Sequence, residues 1–387
     1  MLPRFLFVLF TLAFASSAGA EEPQLELSHR QTLFEGGREG YAAYRIPVLL
    51  ESPGGVLIAF CEARKNGTAD YGDIDLVARR SDDGGRTWQP RQLVHEVGGS
   101  ESVTIGNPCP IAIPARGDEP ARVHLLFTQD NRRLFSCDSL DEGRTWSEPV
   151  EHPNAVPQLR DQSGYDIVRI ATGPVKGLRL ASGRLVAPIW VSQFPLDDLP
   201  GKTDRYRCGS IVSDDGGRTW QAGGLVAPAL LDLNECTVCR MDTQPDSWLL
   251  LNARSRIAGS RTLSFSTDHG RTWEDPQLLA TLPDCVCQGE MIRLPDGRLL
   301  FSNPHTRIGD GSFSERRRRL GLSVSDDSGR TWRQVGLIEP GPSAYSSLVL
   351  LEDEADPLAM LFECGTERYN QRIDFARLAV PADEPGQ

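Results

Sequence analysis

Beyond its first 20 residues the sequence lacks a long apolar run, and the chain as a whole lacks both an excess of positive charge and an extended hydrophobic periodicity of 3.6 residues. The missing apolar run argues against stable membrane insertion, because a transmembrane helix needs roughly 18 or more consecutive apolar residues. The missing periodicity predicts a low helix content. The net charge of −12 argues against nucleic acid as a partner, because phosphate backbones bind basic surfaces. Lysine is also scarce, with three residues among 41 basic ones, which points to genome composition rather than function.

The first 20 residues differ in character from the rest of the chain. Arg4 precedes an apolar run from Phe5 to Phe14, and small residues follow up to Ala20. This order is typical of a secretory signal peptide, in which a short apolar stretch is followed by an A-x-A-like cleavage site. We therefore expect a signal peptide at 1–20 and an exported protein, either secreted or periplasmic.

The nine cysteines are an odd number, so at least one of them must be free or pair between chains. Cys236-x-x-Cys239 and Cys285-x-Cys287 together offer four thiolates to a zinc ion, but Cys-x-Cys is an unusual spacing for a closed tetrahedral site. Exported proteins more often use cysteine in disulfides or as a small core residue. We therefore do not expect a zinc site, and the disulfide pairing stays open.

An eight-residue motif, Ser-x-Asp-x-Gly-Arg-Thr-Trp, occurs five times. The copies begin at Ser81, Ser139, Ser213, Ser266 and Ser325, with spacings of 58, 74, 53 and 59 residues. This period is typical of a four-stranded propeller blade, and it favours one domain over 21–387. Within the motif, Ser and Asp can accept bonds from nearby backbone N–H groups, Gly permits unusual φ angles and Trp offers a large apolar face. These properties predict a turn with a role in folding.

The motif resembles the Asp box of sialidases and related propellers, where it lies on the face remote from the active site. The resemblance implies an all-β fold, namely a six-bladed β-propeller with four-stranded antiparallel blades, of which five carry a box. Closure between N- and C-terminal strands would remove exposed sheet edges. It also implies that the acidic residues of the boxes are structural: Asp83, Asp141, Asp215, Asp268 and Asp327.

The same resemblance implies a site for sialic acid, whose anomeric carbon carries a carboxylate. Arginine suits such a group, because its planar fork pairs bidentately with a carboxylate and keeps its charge. Arg45, in Tyr-Arg-Ile-Pro, matches the first of three clamp arginines of the family, and Arg254 matches the second. The third falls within the run 316–319, where the family spacing to the next Asp box and to Leu320 selects Arg317. Runs of charge are usually solvated, so the other three are expected at the surface.

Further matches imply the catalytic groups. Tyr345, after Glu-Pro-Gly-Pro-Ser-Ala, matches the nucleophile, and this match outweighs the alternative of a core tyrosine after a turn. Glu235 matches the glutamate that activates it. Asp70, in a polar loop, matches the general acid and base, with Asp73 as the alternative. The substrate-binding matches complete the set: Arg64, Asn107 and Glu363.

These residues imply a retaining exo-α-sialidase that removes terminal sialic acids from glycoproteins, glycolipids or oligosaccharides through a sialyl-tyrosine intermediate, without metal or cofactor. Two other functions are compatible with the repeat, namely that of an inactive propeller that binds sialylated glycans and that of a propeller that only presents a protein-interaction surface. Glu290 stands where relatives usually have a small polar residue, so we expect it to alter the preferred acyl or glycerol group. Oligomeric state, linkage preference and the favoured sialic acid variant stay open.

Overall fold

The structure is a computed structural model that describes residues 22–98, 101–193, 206–227, 231–241, 248–352 and 354–382. The signal peptide expected at 1–20 lies outside these ranges. Within them, all elements are strands except for one helix, α1 (Ala155–Ser163). None of the described segments forms an apolar helix of membrane-spanning length.

Four antiparallel sheets each contain a path of four strands in chain order. The first consists of β2 (Ala43–Glu51), β3 (Leu57–Arg64), β4 (Ile74–Ser81) and β5 (Gln92–His95). The second consists of β6 (Ile105–Ile113), β7 (Arg122–Gln129), β8 (Arg133–Ser139) and β9 (Val150–Glu151). The third consists of β10 (Arg169–Thr172), β12 (Leu185–Ser192), β13 (Tyr206–Ser213) and β14 (Gln221–Leu225), with the short β11 (Leu178–Arg179) beside β12. The fourth consists of β15 (Leu233–Arg240), β16 (Leu249–Ser255), β17 (Ser260–Ser266) and β18 (Gln277–Pro283).

The remaining strands form a single seven-stranded sheet in the order β1-β24-β23-β22-β21-β20-β19. They are β1 (His29–Glu35), β19 (Glu290–Arg293), β20 (Leu299–Pro304), β21 (Arg318–Ser325), β22 (Arg333–Leu350), β23 (Leu358–Cys364) and β24 (Arg372–Leu378). The 18-residue β22 pairs with β21 up to Pro342 and with β23 from Ser343 onward. The hydrogen bonds therefore define five sheets rather than six separate ones, because β22 passes from one group of strands to the next without a break. The all-β expectation with four-stranded antiparallel sheets is confirmed, and the fold is propeller-like.

The apolar clusters show how the sheets pack. Phe60 of the first sheet shares an apolar cluster with Phe127 of the second, and Leu57 shares one with Phe375 of the seven-stranded sheet. Other clusters join the second sheet to the third, the third to the fourth, and the fourth to the seven-stranded sheet. Each sheet is thus buried on both faces, which is why a strand such as β3 is apolar along most of its length without alternation. Burial of this kind joins the sheets in a closed ring.

The five Asp boxes form matching turns between successive strands, for example between β4 and β5. Asp83 accepts bonds from the Ser81 hydroxyl at 2.8 Å, the Thr87 N–H at 2.8 Å and the Thr87 hydroxyl at 2.6 Å. Corresponding bonds occur in the other four boxes. Two constraints require glycine at position 85: its φ is 87°, and a Cβ there would lie 2.2 Å from the Phe375 ring. The box therefore closes a turn and lets one sheet approach the next.

Candidate active site

A cavity of about 560 Å³ opens near the beginning of the innermost strands. Every sheet contributes to its wall, through Arg45 of β2, Asn107 of β6, Arg169 of β10, Glu235 of β15 and Tyr345 of β22. A ring of sheets brings these strands together around one axis, so residues far apart in the sequence meet. Eight of the nine residues selected from the sequence line this cavity, and the ninth, Glu363, lies directly behind Arg45.

Four of these strands are irregular where they face the cavity. Their pairing shifts between Arg45 and Val48, Gly106 and Cys109, Leu233 and Cys236, and Ser343 and Ser346. Ile46 and Val286, both at the cavity, have φ angles of 60° and 65°, which β-branched residues rarely adopt. Irregularities of this kind turn side chains out of the ladder and are common next to functional sites. Here they direct the site residues inward.

Three guanidinium groups surround the phenol of Tyr345. The Cζ atoms of Arg45 and Arg317 lie 5.3 and 5.2 Å from the centre of its ring. Arg254 Nη1 donates to the phenol oxygen at 3.1 Å, and Arg254 and Arg317 both donate to the Val286 carbonyl oxygen, at 3.3 and 3.0 Å. All three arginine side chains are buried. The group concentrates positive charge at one position of an otherwise acidic protein.

Buried carboxylates pair with two of the three arginines. Glu363 Oε1 accepts a bond from Arg45 Nε at 2.6 Å, and Glu235 Oε2 lies 2.7 Å from Arg254 Nη1. Within the described residues, Arg317 has no ion-pair partner, and its buried Nε has no hydrogen-bond partner. A buried arginine without a carboxylate partner fits the binding of an anion.

The four arginines at 316–319 differ in their burial and in their contacts. Arg317 is 3% exposed, and its guanidinium packs over Phe313 and Tyr345. Arg318 is exposed, and Arg319 pairs with Glu22 at 3.1 Å. Arg316 also lines the cavity, but its Nη1 is engaged by the Ile308 carbonyl at 3.1 Å. Arg317 is thus the member of the run that joins Arg45 and Arg254 around Tyr345.

Tyr345 and Glu235 form a direct pair. The phenol donates to Glu235 Oε1 at 2.6 Å, and both side chains are buried. Burial raises the pKa of the Tyr345 phenol well above its usual value, and the negative charge of Glu235 raises it further, while Arg254 and Arg317 oppose the rise. The phenol is therefore neutral near neutral pH and has a carboxylate in place to accept its proton.

Asp70 lies at the open side of the cavity, where its side chain is 75% exposed. Its carboxylate accepts a bond from Arg64 Nη1 at 2.8 Å and lies 3.8 Å from Arg45 Nη1. Loss of solvent would raise the pKa of the Asp70 carboxyl, but the charges of Arg64 and Arg45 outweigh it and hold the pKa below its usual value. The alternative, Asp73, instead pairs with Lys65 at 3.0 Å and does not line the cavity.

Some site residues were not selected from the sequence. Glu62 holds Arg64 at 2.7 Å and accepts the Asn107 N–H at 3.0 Å, so one carboxylate fixes two neighbouring positions. Tyr369 lies between Arg45 and Arg317, with its ring 5.2 and 4.9 Å from their Cζ atoms. The sequence could have predicted Glu62, because residues two positions apart in a strand, such as Glu62 and Arg64, lie on the same face.

The expectation for Glu290 was wrong. Glu290 lines a different cavity, where it pairs with Lys176 at 2.7 Å, and it accepts bonds from Ser347 and Leu348 rather than facing the arginines. The nine cysteines are all free and buried. The four cysteines of the two Cys motifs, Cys236-x-x-Cys239 and Cys285-x-Cys287, belong to three different apolar clusters.

Comparison with known proteins gives the family. The family described as a BNR repeat-like domain matches residues 55–356. The sialidase of Micromonospora viridifaciens is 28% identical over 417 aligned residues, which cover 97% of this chain and 61% of that protein. Sialidase-3 of Mus musculus is 28% identical over 424 aligned residues, which cover 92% of this chain and 95% of the mouse protein. The structure of the Hadza microbial sialidase Hz136 superimposes with a TM-score of 0.73 at 25% identity, covering 91% of this chain and 68% of that one.

This chain thus spans about three-fifths of the length of the bacterial relative. The family match nevertheless extends over well over half of the chain, and the two relatives and the solved structure cover nearly all of it. The chain therefore belongs to the sialidase family with Asp-box, or BNR, repeats.

Proposed function

We propose that this protein is a retaining exo-α-sialidase that hydrolyses terminal α-ketosidically linked sialic acids on glycoproteins, glycolipids or oligosaccharides. The observation that carries the proposal is the Tyr345–Glu235 pair, joined at 2.6 Å inside a ring of three arginines. A glycan-binding module needs cations for the carboxylate, but it has no use for a phenol with a buried base. The pair therefore favours catalysis over binding alone.

In this proposal Arg45, Arg254 and Arg317 hold the carboxylate of the sialic acid. Each keeps its charge at any physiological pH, and Arg317 lacks an ion-pair partner within the described residues. Glu363 would orient Arg45, since it accepts bonds from both Arg45 Nε and the Ile46 N–H. Arg64 and Asn107 would contact substituents on the side of the sugar away from the clamp.

Tyr345 acts as the nucleophile in the proposed reaction. Its neutral phenol can approach an anomeric carbon beside a carboxylate without the repulsion that an ionised Asp or Glu would meet. As the phenol oxygen forms a bond to the anomeric carbon, its proton passes to Glu235 and the bond to the leaving oxygen breaks. Arg254, which donates to the same phenol oxygen, would stabilise the developing negative charge.

Asp70 is the proposed general acid and base. In the free enzyme the charges of Arg64 and Arg45 keep the pKa of its carboxyl low, which favours the ionised form. A substrate carboxylate bound at Arg45 would offset one of these charges and raise the pKa of Asp70, so that it can protonate the leaving oxygen. The ionised Asp70 would then remove a proton from the water that attacks the anomeric carbon, while the bond to the Tyr345 oxygen breaks and Glu235 returns its proton to the phenol. No metal or cofactor takes part in these steps.

Two structural proposals accompany the function. The seven-stranded sheet comprises two blades that share β22, whose two halves serve as the outermost strand of one blade and the innermost strand of the next, giving six blades. The segment 1–20 directs export, on the sequence pattern described above. A catalytically inactive propeller that binds sialylated glycans remains the alternative function.

Hydrolysis and labelling together test the proposal. The purified chain should release the fluorophore from a fluorogenic sialoside, and a 3-fluorosialosyl fluoride should form a covalent adduct with Tyr345 that peptide mass spectrometry locates. The control is Tyr345→Phe, which keeps the ring but should lose most of the hydrolysis and should not take the label. Binding of a sialylated glycan without hydrolysis or labelling would favour the inactive module instead.

A further inference from the structure

A second polar network begins one residue beyond Tyr345, on the same strand. The N–H of Ser346 donates to Gln288 Oε1 at 3.0 Å, and Gln288 Nε2 donates to the Ser346 carbonyl at 3.0 Å. The N–H of Leu348 donates to Glu290 Oε2 at 2.7 Å, and Lys176 Nζ donates to the Leu348 carbonyl. Three side chains from elsewhere in the fold thus bond the backbone groups of β22 that do not pair with β23.

These side chains take the place of a neighbouring strand. Ser346, Leu348, Gln288 and Glu290 are all buried, so no bulk water is available to the backbone groups of this edge. An unpaired N–H or C=O in such a place is costly, and nearly all buried ones in proteins have partners. The network therefore holds the inner edge of β22, that is, the edge opposite β23, on which no other strand of the described residues pairs with Ser346 and Leu348.

The network also reaches the strand that carries Arg45. The Ser347 hydroxyl donates to Glu290 Oε2 at 2.6 Å and accepts the N–H of Leu49 at 2.9 Å. Leu49 lies in β2, four residues after Arg45. Glu290 thus connects, through one hydroxyl, the strand of the proposed nucleophile with the strand of the first clamp arginine.

Lys176 makes this arrangement electrostatically acceptable. Glu290 has only 3% of its side chain exposed, and an isolated buried carboxylate would carry a large desolvation penalty. Lys176 lies 2.7 Å away with 19% of its side chain exposed, at the wall of a separate cavity of about 570 Å³. The pair is neutral as a unit, and Glu290 accepts two further short bonds, from Ser347 and Leu348.

Tyr345 needs this support because its own backbone is weakly held. The pairing of β22 with β23 is irregular between Ser343 and Ser346, and the Tyr345 N–H makes only a 3.4 Å bond to Glu363. Covalent catalysis requires the reacting atoms to be held about 3–3.5 Å apart, and a 1 Å error can cost about 100-fold in rate. The bonds at Ser346 and Leu348 are the nearest strong anchors on the C-terminal side of the phenol.

We propose that Gln288, Glu290 and Lys176 are positioning residues, which hold β22 so that the Tyr345 phenol stays aligned with Glu235 and the arginines. This role rests on the proposed function, because it concerns the attack by Tyr345. None of the three residues lines the cavity around Tyr345, so they act through the strand and not through the substrate.

A matched pair of double variants separates positioning from simple packing. Lys176→Met/Glu290→Gln and Lys176→Met/Glu290→Met both remove the two charges at similar volume, but only the first keeps an acceptor for the Leu348 N–H. Replacing a buried ion pair by apolar residues is often tolerated, so both should fold. The Met/Met variant should label Tyr345 with 3-fluorosialosyl fluoride at least about 10-fold more slowly than wild type, and the Met/Gln variant within about threefold of it.

Asp374→Ala is the control for general destabilisation. Asp374 is a buried carboxylate that accepts bonds from Arg30 and Thr32, but it lies on β24, away from the cavity. It should lower the melting temperature without slowing labelling per folded molecule. Amide hydrogen exchange at Leu348 should become faster in the Met/Met variant and stay slow in the Asp374 control.

The outcomes are distinct. Normal labelling in the Met/Met variant, or equal slowing in Asp374→Ala, overturns the positioning role and leaves the proposed function intact. Absence of labelling in the wild type overturns the proposed function and the positioning role with it. If the Met/Met variant does not fold, Gln288→Leu, which removes both bonds to Ser346, decides the question by the same criterion.

Discussion

Replacing Glu235 with Gln should slow the attack by Tyr345 because the phenol loses the base that takes its proton. In the structure this proton already lies on a 2.6 Å bond to Glu235, and burial raises the pKa of the phenol above its usual value of about 10. At pH 7 a free phenol with a pKa of about 10 is ionised to roughly one part in 10³. Because burial raises the pKa of Tyr345 above that value, a residual reaction through spontaneous ionisation would be at least about 10³-fold slower.

A second effect reduces this loss. The substitution also removes the negative charge that lies 2.7 Å from Arg254, so the positive charge near the phenol increases and its pKa falls. We therefore expect kcat/KM at pH 7 to fall by roughly 10²–10³, within the range for loss of a general base. The activity of the variant relative to wild type should rise with pH, because each increase in pH ionises more phenol, whereas the need for a protonated Asp70 affects both enzymes alike.

The assay is kcat/KM for a fluorogenic sialoside between pH 5 and 9, in wild type, Glu235→Gln, Tyr345→Phe and the double variant. Tyr345→Phe should lose at least about 10³-fold with little change in melting temperature, since its ring keeps the contacts with Arg45 and Arg317. The losses should not multiply in the double variant, because the two residues act in one step. A Glu235→Gln enzyme within about threefold of wild type at pH 7, or one whose activity relative to wild type does not rise with pH, would refute the reasoning.

Three further predictions concern other parts of the chain. Arg317→Ala should raise KM and reduce kcat/KM by at least about 10-fold, whereas Arg318→Ala, at an exposed position, should change neither by more than about twofold. The measurement is steady-state kinetics with sialyllactose, and greater damage by Arg318→Ala would contradict the assignment of Arg317. Asp215→Ala removes the acceptor of three turn bonds, so the melting temperature should fall by roughly 2–4 °C with turnover per folded molecule unchanged. The turn bonds of Asp83 and Asp215 outweigh desolvation and lower the pKa of each carboxyl to about 2. Their contribution to the free energy of unfolding is therefore complete above about pH 4 and is lost as the pH falls towards about 2. Acid-unfolding curves of the wild type and of Asp215→Ala would show this difference.

The sequence is most informative where a motif controls its own geometry. In the Asp box, Ser213, Asp215 and Thr219 bond to one another within seven residues, so the turn could be predicted without knowing the rest of the fold. The cavity residues required the family resemblance, because Arg45 and Glu363 are 318 positions apart and meet only through the ring of sheets. The resemblance did not predict the surroundings of Glu290, whose side chain pairs with Lys176.

The continuous β22 also has a physical reason that the repeat could not reveal. The spacing of the motifs predicts four strands per unit, but the hydrogen bonds between strands determine where one sheet ends. Here β22 pairs with β21 through its first half and with β23 through its second half. The change of partner falls at Pro342 and Ser343, immediately before the irregular pairing that turns Tyr345 into the cavity. A strand that changes partners there leaves its inner edge unpaired just beyond the tyrosine. Gln288, Glu290 and Lys176 bond that edge, so the geometry that exposes Tyr345 to the cavity also creates the need for side chains that hold its strand.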